Sequence, residues 1–253
     1  MRLVSWNVNS IAIRMPRVLE LLGQYAPDVV LLQETKAEPD AFPAAELRAG
    51  GYEAAHHSAG RWAGVALLSR TPLDDVRTGL AGEPAVDEAR WIEATTAGLR
   101  VASVYVPNGR AIGHPEFAKK LAFLDAARER IGTLDVLAGD FNVCPADIDV
   151  YDPAAFVGST HVTPEERARF AALLEAGAVD AFRELHPGEA GFTWWDYRQG
   201  HFHRKMGLRI DLALVSAELA PRLRHVGIVR DFRKGKKPSD HAPLLVELAD
   251  DER

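Results

Sequence analysis

The sequence contains a single cysteine, Cys144, so no disulfide can form within the chain. No apolar run approaches the roughly 18 residues that a membrane-spanning helix needs, and the run at residues 29–32 is followed at once by Gln33 and Glu34. The first residues show neither the apolar stretch nor the small-residue cleavage site of a secretory leader. These absences predict a protein of the reducing cytoplasm that does not enter a membrane.

The chain also has no Pro-, Gly- or Ser-rich linker, no low-complexity segment and no internal repeat. Its 253 residues are 47% hydrophobic and 26% charged, which is typical of a globular protein and excludes a disordered chain, a collagen or a coiled coil. A chain of this length can bury a sizeable core. We therefore expect one domain over residues 1–253, working as a monomer because no self-association motif is visible.

Charge is unevenly distributed along the chain. The net charge of −6 argues against general affinity for polyanions, but residues 196–240 carry eleven Lys and Arg against five Asp and Glu, a local charge of +6. This segment can be a solvated basic surface, or a face that meets phosphate groups beside a metal-binding acid cluster. Charge alone does not choose between the two.

Hydrophobic patterning predicts strands and helices in mixed order. The predicted strands cover residues 2–9, 28–33, 64–69, 91–96, 99–106, 134–139, 210–215 and 244–248. The predicted helices cover 15–25, 115–131, 163–177 and, briefly, 217–223; Thr163 and Glu166 form the capping box of the third. Hairpins combined with β-helix-β units favour mixed sheets flanked by helices over a doubly wound parallel sheet.

Several common catalytic signatures are missing. The sequence has no Gly-x-Ser-x-Gly of a serine hydrolase and neither of the glycine-rich loops that cradle nucleotide phosphates. It also has no cysteine pair and no close histidine pair on a helix, which disfavours zinc. The neighbouring histidines His56 and His57, and likewise His201 and His203, are interpreted as surface or loop residues.

Polar side chains recur where predicted strands end. They are Asn7, Asn9, Gln33, Glu34, Tyr105, Asn108, Asp140, Asn142, Asp211, Asp240 and His241. Any one of them could be a turn residue or a helix cap, but their repetition predicts that they converge at one edge of a sheet system. Carboxylates and amides with one imidazole suit a hard cation such as Mg²⁺ or Mn²⁺. Metal-assisted hydrolysis of a phosphate ester is the reaction class that remains.

These residues lie in six blocks: SWNVN at 5–9, LQETK at 32–36, YVPNG at 105–109, GDFN at 139–142, LRID at 208–211 and SDHAP at 239–243. The ordered set resembles the signature blocks of the exonuclease III family of apurinic/apyrimidinic (AP) endonucleases. The resemblance covers nearly the whole chain. It implies an α/β fold of four layers, α/β/β/α, in which two mixed β-sheets are flanked by helices.

The resemblance also implies a metal site. Glu34 is expected to be the principal Mg²⁺ ligand, with Asn7 and Asp240 close to the metal. Asp140 is expected to activate or orient the attacking water, helped by Asn142. The full set of metal-site candidates is Asn7, Glu34, Asp140, Asn142, Asp240 and His241.

The implied catalytic groups surround the scissile phosphate. His241 is expected to contact that phosphate, with Asp211 fixing its orientation and charge, while Tyr105 and Asn108 bind phosphate oxygens. This agrees with elementary chemistry, because an anionic phosphodiester must be neutralised before hydroxide attacks it. The catalytic candidates are Tyr105, Asn108, Asp140, Asn142, Asp211 and His241.

The implied substrate is duplex DNA with abasic sites or blocked 3′ ends. Trp194, Leu208 and Ile210 are expected to contact the flipped-out abasic sugar, because an apolar pocket too small for a base selects a baseless site. Arg110 and Arg198, together with the basic residues from 230 to 237, are candidate phosphate contacts.

The leading hypothesis is a Mg²⁺-dependent DNA repair nuclease that cuts 5′ to abasic sites, trims 3′ blocks and digests 3′ ends to 5′-mononucleotides. One alternative is a phosphoesterase of the same fold that acts on inositol phosphates or sphingomyelin. Another is a catalytically silent nucleic-acid-binding regulator, which would be expected to lack one or more of the residues Glu34, Asp140, Asn142, Asp211 and His241. The sequence leaves open the balance between abasic-site incision and 3′→5′ degradation.

Overall fold

The computed structural model describes residues 1–84 and 86–250. The strands are β1 (Arg2–Asn7), β2 (Val29–Gln33), β3 (Glu53–His57), β4 (Val65–Ser69), β5 (Asp74–Thr78), β6 (Trp91–Thr96), β7 (Leu99–Tyr105), β8 (Val136–Asp140), β9 (Ala178–Asp180), β10 (Asp211–Ser216), β11 (Leu223–Ile228) and β12 (Leu244–Leu248). The α-helices are α1 (Ile11–Tyr25), α2 (Ala44–Ala49), α3 (Pro115–Ile131), α4 (Pro164–Glu175) and α5 (Ala181–Leu185). Within the described residues, no helix is long and apolar enough to cross a membrane.

The strands form two mixed sheets, as the family resemblance implied, and each sheet has six strands. The first sheet has the order β11-β12-β1-β2-β4-β3 and the second has the order β5-β6-β7-β8-β10-β9. Each contains one central parallel pair, β1 with β2 and β7 with β8, while the other pairs are antiparallel. Parallel neighbours end at the same edge of a sheet, so the ends of these pairs present their next residues together.

Apolar side chains on alternate strand positions pack between the layers of the fold. Leu3 of β1 and Val101 of β7 belong to one buried cluster between the two sheets. On the outer faces, Trp6 of β1 packs in a cluster with α1 residues, and Val104 of β7 packs with Phe123 of α3 and other helix residues. The result is the four-layer α/β/β/α order. Burial of each such large apolar side chain stabilises the fold by roughly 1.5–3 kcal/mol.

The strands that the sequence did not predict are the four sheet edges. β3 and β11 border the first sheet, and β5 and β9 border the second. An edge strand has one neighbour and is often polar, so its hydrophobic alternation is weak; every residue of β5 is exposed. His56 and His57, interpreted as surface or loop residues, lie half-buried in β3.

Two helix predictions differ from the structure. Helix α1 begins at Ile11 rather than Met15 and continues through Pro16; Ile11 and Met15 both lie on its buried face. The short helix predicted over 217–223 is only a 3₁₀ turn at Ala220–Arg222, after which the chain enters β11. Helices α2 and α5, of six and five residues, are too short to show a clear hydrophobic period.

Candidate active site

Strand registers bring the polar strand ends to one edge of the two sheets. Asn7 is the last residue of β1, and Glu34 directly follows the parallel strand β2. In the second sheet, Tyr105 at the end of β7 lies opposite Asp140 at the end of β8, which in turn lies opposite Asp211 at the start of β10. The carboxylates and the phenol are therefore held by rigid strands rather than by long loops.

Asn7 joins the two sheets across this edge. Its Nδ2 donates to Glu34 Oε1 at 2.8 Å and to Asp140 Oδ2 at 2.9 Å. Its Oδ1 accepts a hydrogen bond from the backbone N–H of Asn9 at 3.1 Å, and its side chain is fully buried. One amide thus holds together two carboxylates that come from different sheets.

Glu34, Asp140 and His241 offer ligand atoms that lie within 4.8 Å of one another. Burial raises the pKa of Asp140 to about 8, and the charges of Asp211 and Glu34 act in the same direction while His241 opposes them. A divalent cation among these groups would offset the repulsion between the carboxylates. The donor set, rich in hard oxygen atoms, fits Mg²⁺ or Mn²⁺.

His241 pairs with Asp211 beneath the cluster. Its Nδ1 lies 2.8 Å from Asp211 Oδ2 and 3.1 Å from Oδ1, and its Nε2 lies 3.8 Å from Asp140 Oδ2. Burial disfavours the imidazolium, but the Asp211 carboxylate outweighs it and the pKa of His241 is raised to about 10. At neutral pH the ring is therefore cationic and can donate from Nε2.

Two buried hydroxyl groups set the backbone around this pair. Ser239 Oγ donates to the carbonyl of Asn7 at 2.7 Å and accepts from the N–H of His241 at 3.2 Å. Thr193 Oγ1 accepts from the N–H of Asp211 at 3.1 Å. The sequence analysis identified neither residue. Ser239 lies in the SDHAP block, whereas Thr193 lies in none of the six blocks.

Asp240 lies beside the cluster with both carboxylate oxygens occupied. Oδ1 accepts from Asn9 Nδ2 at 2.9 Å, and Oδ2 accepts from Trp194 Nε1 at 3.0 Å. Burial opposes its ionisation, but the His241 charge and these hydrogen bonds outweigh burial and lower the pKa of Asp240. Asp240 is thus an ionised, oriented neighbour of Glu34, Asp140 and His241.

Several residues of this edge have left-handed backbone conformations. The φ angles are 45° at Asn9, 49° at both Glu34 and Lys36, 51° at Asn142 and 56° at Arg110. Such conformations cost free energy for a non-glycine residue and concentrate at functional sites. The turn at Lys36 brings its Nζ to 2.7 Å from Glu34 Oε2, a contact that the sequence did not predict.

Asn108, Asn142 and Tyr105 complete the group predicted to bind phosphate. Asn108 Nδ2 donates to Asn142 Oδ1 at 3.2 Å, and the N–H of Asn142 donates to Asp140 Oδ1 at 2.9 Å. Burial, followed by the charges of Glu34 and Asp140, raises the pKa of Tyr105 well above its ordinary value. Its hydroxyl therefore stays protonated and remains a hydrogen-bond donor.

The three residues predicted to contact an abasic sugar lie together. Trp194 forms backbone bridges with both Leu208 and His241, and its half-buried side chain packs against the cluster that contains Leu208 and Ile210. The last two are 1% and 3% exposed, in a cluster with Cys144. Trp194 is therefore the most accessible of the three.

The predicted phosphate-binding arginines differ in accessibility. Arg110 is exposed on the loop that follows Asn108. Arg198 has 84% of its side chain exposed and is held to Asp196 by hydrogen bonds of 2.6–3.1 Å. Arg233, within the basic segment 230–237, is instead buried and donates to the carbonyls of Ser239 and Trp195, so it cannot reach a phosphate.

The sequence matches the Endonuclease/Exonuclease/phosphatase family over residues 4–241. It is similar to exodeoxyribonuclease III of Haemophilus influenzae, with 34% identity over 267 residues that cover 98% of this chain and all of the relative. The match therefore spans both sheets and every strand end described above.

Solved structures give the same result for the fold. A 3′ phosphatase from Neisseria, bound to a product DNA hairpin, superposes with a TM-score of 0.94 at 40% identity, covering 98% of this chain and 99% of that one. An AP endonuclease from Archaeoglobus fulgidus superposes with a TM-score of 0.94 at 35% identity and the same coverage. The two-sheet architecture and the positions of its strand ends are thus shared with nucleic-acid-processing enzymes.

Proposed function

Because the chain belongs to the Endonuclease/Exonuclease/phosphatase family, we propose that it is a metal-dependent nuclease that hydrolyses phosphodiester bonds of duplex DNA. One observation carries this proposal: Glu34, Asp140 and His241 converge to within 4.8 Å at the edge where both sheets end. The relatives named exodeoxyribonuclease III and 3′ phosphatase support DNA as the substrate. We infer that the chain works as one domain and as a monomer in the cytoplasm.

The chemistry follows from the charges at this edge. A phosphodiester is anionic, and the cationic His241 together with the neutral donors Tyr105 and Asn108 can bind its oxygens and stabilise the charge that develops during attack. Asp140 accepts hydrogen bonds on both carboxylate oxygens, and a bound cation would keep it ionised, so that it can accept a proton from the attacking water. Asp211 keeps the His241 ring aimed and charged.

The proposed cation is Mg²⁺, with Mn²⁺ as a substitute. Glu34 and Asp140 would hold it, with Asn7, Asn142, Asp240 and His241 around them. When bound, the cation neutralises phosphate charge and stabilises the departing 3′-oxygen. Asn7 contributes by holding the two principal carboxylates at a fixed separation.

The proposed substrates are abasic sites and blocked 3′ ends. Incision 5′ to an abasic site would leave a 3′-hydroxyl, and the same hydrolysis at a 3′ end would release a blocking group or a 5′-mononucleotide. The named activities of the two solved relatives, an AP endonuclease and a 3′ phosphatase, support both reactions. Trp194, which is half-buried and bonded to Asp240, is the residue that we propose contacts the extruded sugar.

The test compares two duplexes labelled at both ends. One carries an internal tetrahydrofuran abasic analogue, and the other carries a 3′-phosphate at a one-nucleotide gap. A discrete Mg²⁺-dependent cut 5′ to the analogue, abolished by EDTA, supports abasic-site incision, and phosphate release followed by shortening from the 3′ end supports the 3′ activities. If neither duplex is altered in Mg²⁺ or Mn²⁺, the proposal fails. Hydrolysis of an inositol phosphate would then favour the phosphoesterase alternative, and DNA binding without turnover would favour the silent regulator.

A further inference from the structure

Helix α3 buries a lysine on its apolar face. The fully or almost fully buried positions include Lys120, Phe123, Leu124 and Ala127, a helical spacing of three and four residues. Phe117 and Leu121 of the same helix are only partly buried. Lys120 has no exposed surface, so its ammonium group must be satisfied entirely by the protein.

The Lys120 ammonium group connects three loops, two of which carry residues of the candidate site. Its Nζ donates to the backbone carbonyl of Asn142 at 2.6 Å, to Thr160 Oγ1 at 3.2 Å and to the backbone carbonyl of Asn108 at 3.3 Å. It also forms an ion pair with the Glu166 carboxylate. The first and third of these contacts are to the backbone of residues whose side chains are proposed to face the phosphate.

Glu166 is equally buried and is fixed by its own contacts. Its Oε1 accepts from the N–H of His161 at 2.9 Å and from the Thr160 hydroxyl at 2.7 Å. Its Oε2 accepts from the N–H of Thr163 at 3.0 Å, which completes the predicted capping box of α4. The anchor for Lys120 is therefore the first turn of a helix, which cannot shift without moving α4 itself.

Asn108 and Asn142 depend on this anchor for their relative position. Their side chains bond to each other, and the N–H of Asn142 bonds to Asp140. Asn142 has a left-handed φ of 51°, and Asn108 is exposed on a loop, so neither is held by a strand. A buried ion pair adds little net stability compared with apolar side chains of the same volume, because desolvation opposes it. Its presence therefore calls for a role other than core packing.

We propose that Lys120 and Glu166 are positioning residues, which hold the backbone of Asn108 and Asn142 so that their side chains meet the phosphate and Asp140. This inference rests on the proposed nuclease function. A shift of about 1 Å in groups that bind a reacting phosphate can lower turnover about 100-fold. Substrate affinity should change much less, since contacts along the DNA backbone supply most of it.

The test separates positioning from stability with two variants. Lys120→Met alone leaves Glu166 charged and unpaired, so it should lower both the melting temperature and kcat. The double variant Lys120→Met/Glu166→Gln removes both charges and should recover most of the melting temperature. Its kcat on the 3′-phosphate and abasic duplexes should nevertheless stay about 10- to 100-fold below that of the wild type, with a much smaller change in KM.

The matched control is Arg130→Met, which removes a cation from the buried carboxylate of Glu93 on β6. It should lower the melting temperature and leave kcat unchanged. If the double variant does not fold, Thr160→Val gives a milder change, because it removes a hydroxyl that bonds Lys120, Glu166 and the Asn108 carbonyl. This variant should lower kcat more than Arg130→Met does.

If the double variant has the kcat of the wild type, the positioning role is overturned and the Lys120–Glu166 pair is purely structural. If the double variant does not fold, the same conclusion follows from a wild-type kcat in Thr160→Val. Failure of the wild type and of Arg130→Met alike to cleave either duplex would overturn the proposed function, and this inference with it. Reduced kcat in the positioning variants, with the control fully active, is the result that the structure predicts.

Discussion

The Nδ1 atom of His241 lies 2.8 Å from Oδ2 of Asp211, and both side chains are almost completely buried. With Nδ1 committed to Asp211, the other ring nitrogen, Nε2, is directed toward Asp140 at 3.8 Å. The carboxylate stabilises the imidazolium against the cost of burial, so the ring keeps its charge at neutral pH. This pair makes the site suited to an anionic substrate.

Replacing Asp211 by Asn should make turnover sensitive to alkaline pH. The pKa of His241 is about 10 in the intact protein, so the ring is charged below that pH; without the carboxylate, burial should move the pKa down and the charge should be lost at lower pH. The deficit in kcat relative to the wild type should therefore widen as the pH rises from about 6 to about 9. We would measure kcat across that range. A constant ratio between the two enzymes would contradict the assigned role of Asp211.

Replacing Glu34 by Gln should raise the Mg²⁺ concentration needed for half-maximal cleavage. The substitution removes a charged ligand but preserves the shape of the side chain and its contact with Asn7. Saturating Mg²⁺ should partly restore the rate, because the loss lies in affinity for the cation. The measurement is a Mg²⁺ titration of the cleavage rate. An unchanged half-maximal concentration would remove Glu34 from the metal site.

Arg198 offers a test of DNA contact at an exposed position. Replacing it by Ala should weaken duplex binding uniformly across sequences and reduce the slope of log affinity against log salt concentration by about 1. Arg128→Ala is the matched control, since Arg128 is an exposed arginine on α3. Binding titrations at several salt concentrations would measure the salt slope for each variant. Equal salt slopes for the wild type and Arg198→Ala would exclude a phosphate contact.

The buried carboxylate of Glu93 should make the fold sensitive to acid. Burial disfavours its charge, but hydrogen bonds from Arg130 and Arg100 outweigh burial and lower its pKa from 4.5 to about 2. A carboxylate whose pKa is lower in the folded than in the unfolded protein stabilises the fold at pH values above the unfolded pKa, and this stabilisation is lost as the pH falls toward the folded pKa. For Glu93 the stabilisation is roughly 3 kcal/mol. Glu93→Gln should therefore be less stable than the wild type at neutral pH, and the difference should shrink between about pH 4.5 and about pH 2. Urea unfolding at several pH values would measure this, and a difference independent of pH would contradict it.

Much of the fold was predictable from the sequence because central strands are buried on both faces. Residues 29–33 and 136–140 read as apolar runs for that reason, whereas the edge strand β5 is exposed along its whole length and carries no such pattern. Helix α4 was predictable from its capping box, which is a local signal. Pairings such as β10 with β9 join distant segments and leave little local trace.

Some residues of the candidate site could likewise be predicted from the sequence, and others could not. Residues in compact blocks, such as Asp140 and His241, were identified together with their neighbours. Lys120 was missed because a lysine in an amphipathic helix usually lies on the solvated face, and only the tertiary structure brings it to Glu166. Contacts such as that of Thr193 with the Asp211 backbone depend on how separate segments pack, which the sequence does not reveal.

The most direct test of the central claim is the Mg²⁺-dependent cleavage rate of the labelled abasic and 3′-phosphate duplexes by the wild type and by Asp140→Asn. Asp140 is bonded to Asn7 and Asn142 and lies in the group of ligand atoms with Glu34 and His241. The wild type should cleave in Mg²⁺ and not in EDTA. Asp140→Asn should melt within a few degrees of it, yet turn over about 10²- to 10⁴-fold more slowly. A folded Asp140→Asn variant with a rate near that of the wild type would contradict the claim that these strand ends form the hydrolytic site.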